Sequence, residues 1–301
     1  MTKPEYALAD AVPTVEDFLQ PHIAWYRRLA QTMIRHKGIP VGGLALLAVV
    51  LIALAAPLLT SIDPTALNPR GRLSPPSEQH LFGTDNLGRD VFSRTVWGAR
   101  LSLQIGFFVS ALTVLMGTVV GLTAGFFRSL DTPIMRLMDS MMAFPGIVLA
   151  IGLMAALGPS TYNVMAALTV VYTPRLARVV RSVVLSIREM PFVEAARAQG
   201  TSSQRILLLH ILPNCLSPLI VQGTFIFAEA VLGEASLSFL GAGTPPYIPS
   251  WGNMLGEARA YLRDAPWTML FPGLSLTLTV LALNLLGDGV RDVLDPRLRK
   301  Q

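Results

Sequence analysis

Five stretches of this chain run without a single Asp, Glu, Lys or Arg: Gly38 to Ile62, Leu101 to Phe127, Ser140 to Pro174, Ile206 to Ala228 and Ala265 to Gly287. A bilayer core asks for about 20 predominantly apolar residues per helix, so each stretch is long enough to cross one. The third has room for two helices, divided at the turn residues Gly158, Pro159 and Ser160. The expected fold is therefore an all-α polytopic membrane protein with six transmembrane helices. The fourth, starting near Tyr162, is the least regular, because Pro174 and a run of arginines follow it closely. Composition agrees: 14% of residues are charged, against roughly one quarter in soluble globular chains.

An even number of spans puts both termini on one side, and positive charge chooses the side, because cytoplasmic segments retain Lys and Arg. With the N-terminus inside, 17 of the 24 Lys and Arg fall on inner segments. The outer segments hold Arg70, Arg72, Arg89, Arg94, Arg100, Arg259 and Arg263, most of them offset by nearby acids. The expected topology is N-in and C-in. It divides the chain into a cytoplasmic N-terminal segment 1–37, a first span 38–62, an outer segment 63–100, a five-helix core 101–290 and a cytoplasmic tail 291–301. The basic residues are interleaved with apolar spans, so membrane lipid is an expected partner and nucleic acid is not. The first 37 residues contain no apolar core followed by a small-residue cleavage site, so no cleaved signal peptide is expected. Cys215 is the single cysteine and cannot close an internal disulfide.

Several chemistries are missing from the sequence. Lysine occurs only at positions 3, 37 and 300, so there is no Gly-Lys-Ser/Thr phosphate loop. His-Glu-x-x-His and Gly-x-Ser-x-Gly motifs are absent, and His22, His36, His80 and His210 are scattered. No catalytic residue, metal site or cofactor is expected in this chain, which disfavours a membrane-embedded hydrolase.

The most informative segment is the inner loop between the fourth and fifth spans, Glu194-Ala-Ala-Arg-Ala-Gln-Gly200 through Ile211-Leu-Pro213. It reads as two short helices joined at Gly200. Ala195, Ala196 and Ala198 favour helix with almost no bulk, Gly200 permits a bend, and Pro213 suits the first turn of the next helix. By spacing alone an ordinary amphipathic connector is a better description than a docking element, since such spacings are permissive.

The residue pattern resolves this choice by resemblance. Glu194-Ala-Ala, then Gly200, then Leu212-Pro213, in a cytoplasmic loop between apolar spans, resembles the signature loop of ABC importer permeases. One departure is His210, where the general pattern has an aliphatic residue; it marks the peptide-transporter branch. Three further segments resemble that branch: Phe82-Gly-Thr-Asp-Asn-Leu-Gly-Arg-Asp-Val-Phe-Ser-Arg94, Ala235-Ser-Leu-Ser-Phe-Leu-Gly241 and Leu286-Gly-Asp-Gly-Val-Arg-Asp-Val-Leu-Asp-Pro-Arg297. Together they cover nearly the whole chain after the first span, and residues before about Gly38 carry no part of the match.

The chain thus resembles the second permease subunit of the dipeptide, oligopeptide and nickel ABC importers. This resemblance implies the type I importer permease core, a prokaryotic inner membrane location, a second homologous permease, two cytoplasmic ATPase subunits and an extracytoplasmic solute-binding protein. ATP and Mg would be held by the ATPases. Loop 189–213 would couple to them through Glu194, Ala195, Ala196, Gly200, Leu212 and Pro213. The solute could be a dipeptide, an oligopeptide, an opine, a glutathione-like peptide or a nickel chelate.

Other residues carry expectations of their own. Arg175, Arg178 and Arg181 share one helical face at the inner end of span four and read as headgroup anchors or as contacts to a partner subunit. Gly117, Gly121 and Gly125 align along span two as a packing face. Glu229 and Glu234 lie in or near the outer half of span five, where a carboxylate is expected to face protein or a water-filled path. A pairing with Arg259 or Arg263 of the next outer segment, or with a partner subunit, is the structural reading; a place on the translocation path is the functional one. Asp139, Asn284 and Asp288 sit at span ends and are assigned no transport chemistry. The alternative to an ATP-driven permease is a self-contained ion-coupled secondary transporter using Glu229 or Glu234.

Overall fold

A computed structural model describes residues 38–294; the segment 1–37 and the tail beyond Leu294 lie outside the described residues. The described chain is almost wholly helical, and its only bridge between extended residues is an isolated one joining Thr84 to Asp90. Helix α1 (Gly38–Leu54) gives way to one turn, α2 (Ala56–Leu59), where Pro57 cannot donate to the preceding turn. The first apolar stretch is thus a helix of 17 residues followed by a short kinked turn.

Helix α3 (Val91–Phe126) is 36 residues long and begins well before Leu101. Its start is set by Asp90, whose carboxylate accepts from the Ser93 amide at 2.7 Å and so satisfies one of the orphan N–H groups of the first turn. The last part of the supposed outer segment is therefore the first three turns of a spanning helix.

The third span is bent. Helix α4 (Arg128–Met142) and helix α5 (Gly146–Leu157) meet at 91° across Ala143, Phe144 and Pro145. Pro145 fixes φ and disfavours helix at Phe144, which accounts for the break there. By contrast, helix α6 (Thr161–Ile187) passes straight through Pro174, extending the fourth span well beyond its expected end and carrying Arg175, Arg178 and Arg181 inside the helix.

The inner loop forms α7 (Pro191–Ala198) and α8 (Ser203–Ile206). A π-turn over Leu207–Ile211 then leads without interruption into α9 (Leu212–Phe239). Pro213 has no N–H to continue the regular ladder, and the wider turn lets the Leu212 amide reach back to the Leu207 carbonyl. The short α10 (Trp251–Ala258) follows, and α11 (Trp267–Leu294) closes the described chain.

Among the described residues, α3, the run from Ser203 to Phe239, and α11 are each long and apolar enough to cross a membrane, and the α4–α5 pair is apolar enough only when its two bent arms are taken together, as a broken span or a re-entrant loop. α1 is shorter, and α6 carries three arginines.

Helices α3 and α9 form the axis of the bundle, since both contribute to all three apolar clusters. Where lipid tails are as apolar as the core, close packing takes over from hydrophobic burial as the driving term. The glycine stripe supplies it. A Cβ at Gly117 would meet Leu176 at 2.9 Å, one at Gly121 the Ala177 carbonyl at 2.6 Å, and one at Gly125 Val184 at 2.7 Å. These three glycines are thus the seam between α3 and α6. At the other side of the bundle, Gly42 lets α1 lie against the backbone of α11 near Ala282 and Leu286.

Candidate functional site

Two features of the fold place charged or exposed groups where a transport subunit would use them: the inner loop and the face of α6. Helix α7 is short enough that only two of its side chains, Val193 and Ala196, are buried. They sit in the apolar cluster formed by Leu176, Val180 and Val184 of α6 with Ile206, Ile211 and Cys215. The opposite face, with Glu194, Ala195, Arg197 and Ala198, is exposed. Pro191 starts the helix at a position whose N–H would be unpaired in any case.

Its end is a Schellman cap. The Gly200 amide donates to the Arg197 carbonyl at 2.9 Å and the Thr201 amide to the Ala196 carbonyl at 3.1 Å, with Gly200 at φ +78°. Arg197 lies over the Phe126 ring at 5.7 Å, and Arg188 donates to the Gly125 carbonyl at 2.8 Å, so the loop is tied to the inner end of α3. Leu212 packs at the rim of the same cluster, Pro213 is exposed, and Phe192 faces His210 with ring centres 6.4 Å apart. The structure thus brings Glu194, Ala195 and Gly200 to one exposed surface and places Ala196 beneath it.

The arginines of α6 are all paired, which revises their reading as headgroup anchors. Arg175 donates to Glu229 of α9 at 2.6 Å, Arg178 to Asp139 of α4 at 2.6 Å, and Arg181 makes two bonds to Asp131 of α4, at 2.5 and 2.6 Å. The first two pairs are open: Arg175 and Glu229 are 58% and 37% exposed, Arg178 and Asp139 50% and 60%. Arg175 stands about 21 Å along α6 from Thr161, and Glu229 about 15 Å along α9 from Phe239, at 1.5 Å per residue. Open charges at mid-helix in a membrane protein face water or another protein surface, since hydrocarbon would penalise them. The sequence did carry a signal for these pairs. Asp131 and Asp139 flank the inner end of one span while three arginines at every third position line the next.

Glu229 is therefore joined to Arg175 and not to Arg259 or Arg263, and Arg259 lies over the Phe239 ring instead, at 5.9 Å. Glu234 differs again. It is fully buried, and its carboxylate oxygens accept from Ser238 at 2.8 Å and Ser102 at 3.2 Å. The hydroxyls of Thr244 and Ser250 extend this network into the loop before α10. Among the described residues no cation is paired with Glu234, which the enclosing hydroxyls of α3, α9 and the outer loop hold away from any open surface.

The outer motif that begins at Phe82 builds a second charged cluster. Asp85 accepts from the Leu87 and Arg89 amides at 2.8 and 2.9 Å and from the Arg89 side chain at 2.6 Å. Gly88 turns the loop at φ +74°, lying so close to the Asn68 carbonyl that a Cβ would overlap it. Arg89 and the fully buried Arg94 converge on Glu257 of α10, the second at 3.4 Å. Burial pushes the Glu257 carboxyl up from its ordinary value against the opposing pull of Arg94 and Arg89. Trp267 donates to the Thr84 carbonyl at 3.1 Å and Trp251 to the Thr95 carbonyl at 3.0 Å, fastening the outer segment to α11 and α10.

Comparison with known proteins places this architecture. A putative peptide transport system permease protein of Brucella abortus is 52% identical over 272 residues, covering 90% of this chain and 92% of its own length. The dipeptide transport system permease protein DppC of Alkalihalophilus pseudofirmus is 47% identical, covering 95% and 94%. The glutathione transport system permease protein GsiD of Pectobacterium atrosepticum is 40% identical, covering 91% and 92%. Among solved structures, a chain of the methionine ABC transporter MetNI in an inward-facing conformation matches with a TM-score of 0.55 at 20% identity, over 67% of this chain and 96% of that one. The profile described as binding-protein-dependent transport system inner membrane component matches residues 92–300. The chain belongs to that family, the permease components of ABC importers, and is a multi-pass protein of the prokaryotic inner membrane.

Proposed function

We propose that this chain is one of two homologous permease subunits of an ATP-driven importer for peptides or a related small solute. In this reading it spans the membrane six times with both termini inside and forms half of the translocation pathway. Two cytoplasmic ATPase subunits bind ATP and Mg and dock on loop 189–213, while an extracytoplasmic binding protein delivers the solute. The observation that carries the coupling step is the two-sidedness of α7: Val193 and Ala196 are rooted in the bundle core while Glu194 and Ala195 stand outward, covered by none of the described residues. A helix held in this way transmits force to the helices it is packed against. The peptide class rests on the names of the relatives, 52% and 47% identical among them.

The open Arg175–Glu229 pair supports a place for Glu229 on the translocation path, while the enclosure of Glu234 supports a structural role for that residue. Reconstitution tests the whole reading. Uptake of a dipeptide into proteoliposomes is expected to require the partner permease, the ATPases, ATP and the binding protein. Uptake by this chain alone under an ion gradient would overturn it in favour of a secondary transporter.

A further inference from the structure

The Arg175–Glu229 pair has unused binding capacity. Only Nη1 of the guanidinium is engaged with the Glu229 carboxylate, and the remaining N–H groups of Arg175 have no hydrogen bond among the described residues. Beside the pair lies a cleft of about 260 Å³ between α5, α6 and α9, lined by Leu168, Tyr172, Glu229, Leu232, Gly233 and Ser236. Tyr172 closes its floor by donating to the Glu229 backbone carbonyl at 3.0 Å. A Cβ at Gly233 would meet the Tyr172 hydroxyl at 2.5 Å, so the cleft owes its depth there to the glycine.

We propose that this pair parts to hold a small zwitterionic solute, the carboxylate of the solute on Arg175 and its ammonium on Glu229, with the body of the solute in the cleft. The proposal rests on the reading that this face of α6 borders the translocation path, and it adds what the path recognises there. The selectivity follows from charge. A simple anion takes Arg175 and strands Glu229, and a simple cation strands Arg175, each leaving one charge without its charge-assisted hydrogen bond. A zwitterion replaces one ion pair with two and strands neither. Since the resident pair must be broken first, net binding is weak, as passage requires: favourable enough to enter and weak enough to leave.

The test uses the assembled complex of this chain with its partner permease and ATPases. Leu232, which is 49% exposed and lines the cleft, is replaced in a Cys215→Ala background, so that Leu232→Cys is the only thiol of this chain. Modification by a membrane-impermeant thiol reagent is followed by mass spectrometry of this chain, with Ala-Ala, N-acetyl-Ala-Ala or Ala-Ala amide as protectant. Ala-Ala is expected to slow modification, and each blocked analogue to need roughly tenfold more to do the same, the factor for one lost charge-assisted hydrogen bond. Arg175→Gln and Glu229→Gln should each leave the thiol reactive and weaken protection by Ala-Ala about as much.

Equal protection by the blocked analogues overturns the proposal while a reactive thiol leaves the path reading intact. A thiol that is never modified, in resting or ATP-bound complexes, overturns the path reading and the proposal with it. The analogue comparison needs neither charge variant, so it decides the matter even where one of them does not assemble.

Discussion

The cap of α7 gives the sharpest test of the coupling loop, because at Gly200 backbone and contact effects separate cleanly. Gly200 sits at φ +78°, and an added Cβ would meet none of the described residues within 4 Å. Replacement by Ala therefore introduces no clash, and its whole effect is the left-handed backbone, about 1–2 kcal/mol for an L-residue. Asn tolerates that region better and should fall between Gly and Ala. Pro is worst, since it fixes φ near −65° and removes the amide that donates to Arg197, for about 3 kcal/mol or more. If the ATPase groove accepts only the capped loop, these values are upper limits on the loss of docking free energy. Ala would then weaken association up to roughly 5–30-fold. The assay is the concentration dependence of ATPase-subunit binding to the permease pair in nanodiscs, with solute-stimulated ATP hydrolysis beside it. The order Gly, Asn, Ala, Pro is expected. Asn as damaging as Pro would mean that the site rejects any side chain, and Ala equal to Gly would mean that the cap geometry is irrelevant to docking; either result refutes the reasoning.

Glu194→Lys should abolish solute-stimulated ATP hydrolysis while changing the stability of the chain by no more than about 0.5 kcal/mol, since the residue is exposed; unchanged coupling counts against docking on this face. Gly121→Ala should lower the thermal stability of the purified complex by about 1–3 kcal/mol, because the new methyl meets the Ala177 carbonyl and Val180 at 2.6 Å. Gly152→Ala, with none of the described residues within 4 Å of the added methyl, serves as its silent counterpart in the same measurement. Glu257→Gln leaves the buried Arg89 and Arg94 short of a counter-charge, with an expected penalty of about 3–5 kcal/mol. Limited proteolysis of the segment between α1 and α3 reads this, and resistance equal to that of the parent chain would show that the ion cluster is not what holds the segment down.

Much of the scaffold is legible in composition alone. The apolar stretches place the helices, and the four-residue glycine spacing at 117, 121 and 125 marks a packing face that the structure seats against α6. The ends of the helices are not legible, because a charge marks the end of a span only where it would face lipid. Ser93, Arg94 and Thr95 of α3 are buried and paired within the protein, so the helix continues where a lipid-facing one would stop. The extent of α6 is hidden in the same way. Pro174 and Arg175 look like a boundary, yet Leu176, Ala177 and Val180 continue the buried stripe without a break in period. Pro145 breaks a helix and Pro174 does not; what separates them is the packing of the residues after each, which a single sequence does not display. The Arg175–Glu229 pair is out of reach for a related reason. Glu229 and Arg175 are more than 50 residues apart and meet only because α6 and α9 cross α3 side by side.

The connection between the two candidate sites follows from continuity of the chain. Helix α6 ends at Ile187, with three residues between it and Pro191 at the start of α7, and the run from α8 to α9 is helical without a break from Ser203 to Phe239. The cluster that holds Val193 and Ala196 also holds Val180 and Val184 of α6 and Cys215 and Leu219 of α9. A load applied to the exposed face of α7 therefore reaches both helices at their inner ends and cannot move one without straining the other. Higher up, the same two helices carry Arg175 and Glu229, joined by a single exposed hydrogen bond of modest net strength, on the order of 1 kcal/mol. Under the proposed coupling, relative sliding of α6 and α9 by a few ångströms would break that bond before it disturbed the glycine seam, where Leu176, the Ala177 carbonyl and Val184 of α6 lie close against Gly117, Gly121 and Gly125 of α3. The weakest link between the two arms of the lever is thus the one that lies in the open.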